Sequence, residues 1–266
     1  MTNLKDNYDL AGNMFWDAYW EKLRLPCVIN EDFSFDRCLS RVLRKRLGQI
    51  TLGQSHDGKS SVFEIGAAPG KWLTLFPPEL YSVSGLDYSE RGLQALRRNL
   101  ELLGIKPWRL YEGDFFKVEP SMSFDVVLSL GFVEHFDDPM LVIRRHLDWL
   151  LPNGVLIIGV PNFTGLHGLF QRMLDPTVLA KHNTSIMTKS FFDELERSLN
   201  IQQLSCDYLG SFEPALPMTY NRTSMSNIFP KAILRAASFA RKWPHWDHFN
   251  SPFFSSYILT FYRKTR

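Results

Sequence analysis

The chain contains the stretch Ser61-Val-Phe-Glu-Ile-Gly-Ala-Ala-Pro-Gly70, in which an apolar segment runs directly into a turn of small residues. Residues 61–65 predict a short buried strand, and Gly66 and Gly70 predict a tight turn that leads into a helix. Small side chains at such a turn let the backbone approach a ligand, and ligands of open α/β sheets bind at the carboxyl ends of strands. The stretch therefore predicts an α/β sheet with a ligand site at its edge.

The turn departs from the G-x-G-x-x-G pattern of dinucleotide sites. Its glycines stand four residues apart, Ala68 takes the middle position, and Pro69 has no backbone N–H to offer a diphosphate. Glu64, two residues before the first glycine, repels a pyrophosphate and attracts an ammonium group. The turn therefore favours a ligand with a cationic group over a dinucleotide.

Strands and helices alternate along the rest of the chain. Apolar segments predict the strands, and amphipathic helical spacing at residues 89–103 and 140–151 predicts helices between them. This alternation predicts a doubly wound, mostly parallel α/β sheet with helices on both faces. The seven predicted strands are residues 61–65, 81–86, 108–111, 124–130, 154–160, 201–208 and 253–262.

A single domain with two inserts is expected. The 266 residues, 45% hydrophobic and 22% charged, suit one globular domain with a sizeable core and exclude a disordered chain. Neither insert shows a regular pattern. The predicted parts are an N-terminal helical cap (1–58), a cofactor-binding core (59–160), a lid insert (161–187), a second core segment (188–209), a second lid insert (210–250) and a final strand (251–266).

The charge, the cysteine content and the first residues of the chain indicate its class of partner and its cellular compartment. The net charge of +2 gives no support for a nucleic-acid-binding protein. Three widely spaced cysteines without a C-x-x-C pair predict reduced thiols rather than a disulfide scaffold or a zinc site. The polar first ten residues and the lack of a long apolar run predict a cytoplasmic protein without a membrane span.

Two acidic residues follow the second and third predicted strands. Asp87 comes about twenty residues after the Gly-rich turn, where a carboxylate can accept both hydroxyls of a ribose. Asp114 follows the third strand, where a carboxylate can accept from an adenine amino group while Phe115 covers the ring. The two positions therefore point to an adenosine-containing ligand.

Five motifs, in order, resemble those of the class I S-adenosylmethionine-dependent methyltransferases. They are Glu64-Ile-Gly-Ala-Ala-Pro-Gly70, Gly85-Leu-Asp-Tyr-Ser89, Glu112-Gly-Asp-Phe115, Phe124-Asp-Val-Val-Leu-Ser-Leu-Gly-Phe-Val-Glu-His135 and Leu151-Pro-Asn-Gly154. The resemblance implies an antiparallel last strand and S-adenosylmethionine as cofactor, its methionine part on the Gly-rich turn. The predicted cofactor-binding residues are Glu64, Gly66, Ala67, Ala68, Gly70, Asp87, Tyr88, Asp114, Phe115 and Leu130.

His135 is the predicted catalytic residue. A sulfonium leaving group needs no acid, but a hydroxyl acceptor needs a base for its proton. His135 lies just past the fourth strand, where it serves either as this base or as a brace for the next helix. On this basis we predict O-methylation of a small molecule or of a sugar or glycan intermediate.

No metal ion is predicted beside His135. Some relatives with an acid-x-x-Glu-His pattern at this place bind a divalent metal, but Gly131 takes the first acidic position here.

Two other functions of the protein stay open. Residues 67–71 are similar to the turn of RNA ribose methyltransferases, although Gly131 lies where those enzymes carry a catalytic aspartate. The second is a cyclase or binding module that retains the cofactor without methylating.

The inserts and the first helix are expected to bind the acceptor. Both inserts leave the sheet at its carboxyl edge if the last strand is antiparallel, and loops over such an edge usually select the substrate. Residues 214–246 contain five Lys or Arg and no acid, which fits an anionic acceptor, a peripheral membrane contact or a solvated helix. A monomer or homodimer is expected. The predicted acceptor-binding residues are Trp16, Tyr19, His182, Tyr220 and Arg222.

Overall fold

The computed structural model describes residues 9–32, 34–213, 239 and 246–265. These residues contain the strands β1 (Ser60–Ile65), β2 (Tyr81–Asp87), β3 (Arg109–Glu112), β4 (Phe124–Leu130), β5 (Leu150–Pro161), β6 (Ile201–Leu209) and β7 (Tyr257–Lys264). They form one seven-stranded sheet in the order β3-β2-β1-β4-β5-β7-β6. Every one of these strands overlaps the strand predicted from the apolar segments.

The strand directions confirm the predicted doubly wound sheet. The first five strands pair in parallel, whereas β7 pairs antiparallel with both β5 and β6. The strand order reverses between β1 and β4, and open α/β sheets form a crevice at this point, outside the carboxyl ends of their strands. Strand β1 is buried along its whole length, as expected for a central strand that is covered on both faces.

Helices cover the sheet, and local sequence explains where they begin and end. Helix α3 begins after Ser89, whose hydroxyl accepts from the backbone N–H of Gly92, and it stops at Gly104, which adopts a positive φ of 69°. Helix α4 follows Asp138, whose carboxylate accepts from the N–H of Leu141. The helices are α1 (Asn13–Trp20), α2 (Ser34–Leu47), α3 (Glu90–Leu102), α4 (Pro139–Asp148), α5 (Leu166–Leu174), α6 (Pro176–Leu179) and α7 (Lys189–Ser198).

The predicted helical cap is only partly helical. Among its described residues, α1 and α2 are the α-helices, and the segments 21–32 and 48–58 are turns and irregular chain. Helix α1 packs against α3, while α2 buries Leu39 and Leu43. Arg37 of α2 forms an ion pair with Asp247 at 2.9 Å, and this contact joins the cap to the end of the second insert.

The first insert is helical, which corrects the irregular structure expected from its sequence. Residues 161–187 contain α5, α6 and a 3₁₀ turn at Thr184–Ile186. Asp175 separates the two helices and accepts from the N–H of Thr177 at 3.1 Å, as an N-cap residue does. Helices of four to nine residues offer too few turns for an apolar repeat, so the periodicity could not reveal them.

The second insert is described only at residues 210–213, 239 and 246–250. Tyr220 and the five basic residues of the acid-free stretch, Arg222 among them, lie outside the described residues. The backbone N–H of Glu213 donates to Nε2 of His167 at 2.9 Å, so the insert begins against the first one. Within the described part of the chain, no helix is both long and apolar enough to cross a bilayer. Cys27, Cys38 and Cys206 are free thiols.

Aromatic residues fill one face of the sheet. The ring of Phe63 on β1 lies 4.6 Å, centroid to centroid, from both Phe124 and Trp149. All three are fully buried. Because a ring pair of this kind contributes about 0.5–1.5 kcal/mol beyond its buried area, these rings hold β1 and β4 in register under the ligand-binding edge.

Asp125, at the start of β4, is expected to be a large contributor to stability. Its Oδ2 accepts from the N–H of Ser61 at 2.8 Å, from the Ser61 hydroxyl at 2.9 Å and from the N–H of Ser55 at 3.2 Å. Asp125→Ala leaves these donors unpaired and should lower the free energy of unfolding by about 2–4 kcal/mol in urea denaturation. The exposed Asp148→Ala should change it by less than about 0.5 kcal/mol. Equal midpoints for the two variants would contradict this role.

Candidate active site

A cavity of about 450 Å³ opens at the carboxyl edge of the sheet. Its lining includes residues that follow neighbouring strands, among them Gly66 after β1, Tyr88 after β2, Gly131 after β4 and Phe163 after β5. Its size lies within the range of about 300–1,000 Å³ that is usual for small-molecule sites. The sheet therefore places its binding site where the strand order reverses.

The Gly-rich turn forms one wall of the cavity. Gly66 adopts φ 67°, and a Cβ at this position would lie 2.7 Å from Cδ2 of Phe132, so only glycine fits there without a shift. Gly66 and Ala68, both predicted to bind the cofactor, line the cavity. Ala67 and Gly70 lie outside the lining; a Cβ on Gly70 would lie 2.5 Å from Leu96 of α3. Ala67 and Gly70 thus pack on the side of the turn that faces away from the cavity.

Glu64 lies beneath the turn and outside the cavity lining. It is buried, and its Oε2 has no hydrogen-bond partner among the described residues. Burial, and then the neighbouring Asp87, raises the pKa of this carboxyl well above its usual value. A buried oxygen without a partner suits a nearby ammonium group, and the predicted contact with the cofactor remains a prediction for this residue.

Asp87 stands at the end of β2 and lines the cavity. Its Oδ2 accepts from the N–H of Ala68 at 3.1 Å, and its Oδ1 accepts from the N–H of Ser89 at 3.0 Å. Burial raises its pKa to about 6. The carboxylate therefore joins the Gly-rich turn to the start of α3 and still has lone pairs for the hydroxyls of a ribose.

A hydrogen bond from Tyr88 connects the N-terminal segment to the site. Its hydroxyl donates to the carboxylate of Asp9 at 2.5 Å, and both residues line the cavity. The hydroxyl of Ser89 donates to Asp17 of α1 at 2.6 Å. The sequence did not reveal Asp9, because a single acid near a terminus carries no pattern.

The predicted adenine end also lies at the cavity. Asp114, Phe115 and Leu130 all line it, and Phe115 is almost fully buried. Oδ1 of Asp114 accepts from the N–H of Phe116 at 2.9 Å, and Oδ2 lies 3.0 Å from Lys117. This acid keeps acceptor capacity for an amino group while its loop is held by its own backbone.

His135 and Glu134 lie in a 3₁₀ turn that follows β4, and both are buried and line the cavity. Nδ1 of His135 lies 2.8 Å from the carbonyl oxygen of Lys181, so this nitrogen donates its proton to that oxygen. Nε2 keeps its lone pair and lies 4.0 Å from Oε1 of Glu134. Burial lowers the pKa of His135 to about 4 and raises that of Glu134 to about 8.

His182, from the first insert, stands beside His135. The two ring centroids lie 4.6 Å apart. Nδ1 of His182 lies 2.8 Å from the carbonyl oxygen of Val178 and donates to it. Burial lowers its pKa to about 3, with a further lowering from His135. The insert therefore brings a predicted acceptor-binding residue to the predicted catalytic one.

Aromatic rings enclose this end of the cavity. Trp16 of α1 meets His135 edge-on at 5.1 Å, and Phe163 meets His182 edge-on at the same distance. Trp16 and Tyr19 line the cavity, as predicted, and Phe132 and Phe136 also line it. Sequence reasoning missed these two phenylalanines, although both flank the Glu134-His135 motif.

Glu134, His135 and His182 are the residue types that divalent metals bind. One coordinating atom of each lies within 4.8 Å of the others, and all three residues are buried. The sequence predicted no metal because Gly131 replaces an acid, and it could not place His182 at this turn. The 4.0 Å between Glu134 Oε1 and His135 Nε2 exceeds the separation of about 3.3–3.4 Å that a tetrahedral zinc site requires.

Comparison with known proteins assigns the class. A sequence model of the family described as "Methyltransferase domain" matches residues 35–200, more than half of the chain. The chain belongs to this family, and it is a member of the S-adenosylmethionine-dependent methyltransferases. The residues fit that cofactor: the turn at Gly66 is open to a ligand, Glu64 has an unpartnered oxygen near it, and Asp87 and Asp114 line the cavity.

Two curated relatives carry names that differ in the methylated atom, which is nitrogen in one and oxygen in the other. Over 158 residues the chain is 26% identical to a protein of Papaver bracteatum named (S)-tetrahydroprotoberberine N-methyltransferase 2, covering 57% of this chain and 42% of that one. Over 148 residues it is 26% identical to malonyl-[acyl-carrier protein] O-methyltransferase of Halalkalibacterium halodurans, covering 50% and 53%. The chain thus spans about half the length of the curated relatives it matches.

A solved structure shares the whole fold. A protein of Galdieria sulphuraria, assigned as a sarcosine dimethylglycine methyltransferase, superposes with a TM-score of 0.60 at 15% identity. The match covers 95% of this chain and 98% of that one. At this identity the likeness supports the fold and leaves the acceptor open.

Proposed function

We propose that the chain transfers the methyl group of S-adenosylmethionine to a small-molecule acceptor in the cavity, and that His135 accepts the proton of the nucleophile. The orientation of His135 carries this proposal. Its Nδ1 is held at 2.8 Å by the carbonyl oxygen of Lys181, so the lone pair of Nε2 is available on a cavity-lining side chain. A fixed tautomer with a free lone pair is what a general base requires.

The cofactor, when bound, supplies a methyl group on a sulfonium. Gly66, Ala68, Asp87 and Asp114 would hold it along the carboxyl ends of β1, β2 and β3, while the other end of the cavity is left for the acceptor. The protein then contributes alignment and a base, because the sulfonium leaves without a proton.

Burial keeps the imidazole of His135 unprotonated, so the lone pair of Nε2 stays free. With its pKa lowered to about 4, the imidazole is neutral at neutral pH and needs no prior deprotonation. The carboxyl of Glu134 lies 4.0 Å from Nε2 and stabilises an imidazolium there only in its ionised form. Trp16 and Phe163 pack edge-on against the two imidazoles, both of which are buried.

The nucleophile is a hydroxyl or an amine nitrogen, and both carry a proton that a base must remove. The sequence predicts the hydroxyl, hence a methyl ether on a small molecule or a sugar. N-methylation is the second candidate, and the specific observation in its favour is the buried carboxyl of Glu134, whose Oε2 has no partner among the described residues. The named relatives include both kinds of enzyme.

A nucleic-acid acceptor fits this cavity poorly. Among the described residues that line it, Lys71 is the one lysine or arginine, and this side chain is already paired with Asp36 at 2.8 Å. Phosphate backbones are bound mainly through Lys and Arg. The RNA alternative therefore ranks below a small molecule.

Transfer of a radiolabelled methyl group tests the proposal. S-adenosylmethionine labelled in its methyl group is incubated with the protein and with matched sets of alcohols, sugars and amines, and in parallel with total RNA. We expect labelled small-molecule product that depends on His135. Labelling of RNA alone would overturn the small-molecule acceptor, and cofactor binding without any transfer would support a binding module.

A further inference from the structure

Glu134, His135 and His182 form a cluster of hydrogen-bond acceptors at the acceptor end of the cavity. In both histidines the Nδ1 proton is donated to a backbone carbonyl, so Nε2 is the nitrogen with the lone pair. Oε2 of Glu134 is buried without a partner among the described residues. All three residues line the cavity. The cluster thus offers two imidazole nitrogens with lone pairs and a carboxyl whose Oε2 has no partner in the described part of the chain, and a cation placed among them would favour the ionised form of that carboxyl.

We infer that this cluster binds the protonated amine of the acceptor, so that the substrate is a primary or secondary amine and the enzyme an N-methyltransferase. The inference rests on the proposed function and departs from the hydroxyl predicted from the sequence. An ammonium group carries two or three N–H donors and a positive charge, whereas a hydroxyl has one donor and would leave two of the acceptors unpaired.

The dimensions of the cluster are closer to those of an ammonium site than to those of a tetrahedral metal site. Acceptors that receive charge-assisted hydrogen bonds of about 2.7–2.9 Å from one tetrahedral nitrogen lie about 4.4–4.7 Å apart. Glu134 Oε1 and His135 Nε2 are 4.0 Å apart, and one atom from each of the three residues lies within 4.8 Å of the others. Metal bonds of about 2.0–2.1 Å would require a markedly smaller cluster.

The walls and the charge of the cavity also favour an organic cation. Aromatic rings of Trp16 and Phe163 stand against the two histidines, and Phe132 and Phe136 complete this wall. Ring faces attract ammonium groups. Of the described residues lining the cavity, four are acids and one is a permanently charged base: Asp9, Asp87, Asp114, Glu134 and Lys71.

The proton balance agrees with an amine acceptor. The ammonium gives one proton to Nε2 of His135, the freed pair on nitrogen forms the new N–C bond, and the pair of the broken C–S bond stays on sulfur. The proton then leaves to solvent. Glu134 and His182 keep the remaining N–H bonds paired while the nitrogen becomes a nucleophile.

Matched probes test the inference by binding rather than by turnover. The protein is loaded with S-adenosylhomocysteine and titrated by calorimetry with pairs that differ only in the polar group, such as 2-phenylethylamine with 2-phenylethanol and cyclohexylamine with cyclohexanol. We expect each amine to bind at least about tenfold more tightly than its alcohol, because charged hydrogen bonds are the stronger ones.

Variants connect the preference to the cluster. Glu134→Gln, which replaces the carboxyl by an amide that cannot ionise when the ammonium binds, and His182→Ala should each lower amine affinity by about tenfold or more and leave alcohol affinity within about threefold. Glu79→Gln makes the same chemical change at an exposed position outside the cavity and should alter neither. Unchanged binding of S-adenosylhomocysteine shows that each variant is folded.

Other outcomes overturn the inference. Equal affinity for amines and alcohols, binding of neither set, or an amine preference that survives Glu134→Gln would each refute an amine site. Tight binding of cobalt(II) with the visible spectrum of a histidine-ligated ion, abolished by His182→Ala, would assign the cluster to a metal instead. Methyl transfer to alcohols with dependence on His135 would refute the amine and leave the proposed function standing.

Discussion

Replacement of His135 by alanine is expected to lower kcat by about 10²–10⁴-fold while the affinity for S-adenosylhomocysteine changes by less than about threefold. Nε2 of His135 carries the lone pair that we propose accepts the proton, and its removal would leave the nucleophile protonated. The cofactor's predicted contacts lie elsewhere, at Gly66, Asp87 and Asp114. Saturation kinetics give kcat, and calorimetry gives the binding constant.

His56→Ala is the matched control, because His56 stacks on Trp108 at 3.6 Å and lies outside the cavity lining. It should leave kcat within about twofold.

The pH profile of the parent protein supplies a second readout. Since burial lowers the pKa of His135 to about 4, this imidazole is a competent base throughout pH 5–8 and gives kcat/KM no acidic limb near pH 6.5. Full turnover in His135→Ala at both neutral and high pH would assign the residue a bracing role.

Asp87→Ala is expected to weaken the binding of S-adenosylhomocysteine by about 100-fold or more. The variant removes the carboxylate predicted to accept the ribose hydroxyls, and hydrogen bonds to charged groups contribute about 1.5–3 kcal/mol each. It also leaves the N–H groups of Ala68 and Ser89 without their acceptor, which loosens the Gly-rich turn. Calorimetry at constant salt measures the loss.

Two controls separate ribose recognition from a general loss of structure. Glu112→Ala removes an exposed acid at the end of β3, outside the cavity lining, and should change the affinity by less than about twofold. Adenine, which has no ribose, should bind to Asp87→Ala nearly as tightly as it binds to the parent protein, whereas adenosine should bind to the variant more weakly.

Because burial raises the pKa of Asp87 to about 6, lowering the pH from 7 to 5 protonates the carboxylate. This change should weaken S-adenosylhomocysteine binding in the parent protein and not in Asp87→Ala.

The local pattern of the chain was enough to place most of the predicted cofactor-binding residues at the cavity. Strand β4 has the predicted limits, and Ser89 and Gly104 bound α3 as their side-chain chemistry requires. Gly66, Ala68, Asp87, Asp114 and Leu130 all line the cavity. These positions follow strand ends within a few residues, so a correct strand assignment places them automatically at one edge of the sheet.

The sequence did not show which residues of the Gly-rich motif face the cavity. Glu64, Ala67 and Gly70 belong to the same motif as Gly66, yet they lie behind the cavity surface. Spacing along the chain does not reveal which side of a turn a residue occupies. That depends on packing against α3, where Leu96 leaves no room for a side chain on Gly70.

The proposed acceptor half of the site depends on contacts between distant parts of the chain. By itself the sequence determined an α/β sheet, its strand order along the chain and the carboxylates at its edge, because alternating apolar segments and turn residues are local features. Only the tertiary structure decided that His182 stands 4.6 Å from His135 and that Trp16 packs against His135, since α1 and the first insert are far apart along the chain and meet at the turn after β4. The same packing buries Glu134, and burial raises its pKa to about 8, a property of the surroundings that no motif encodes.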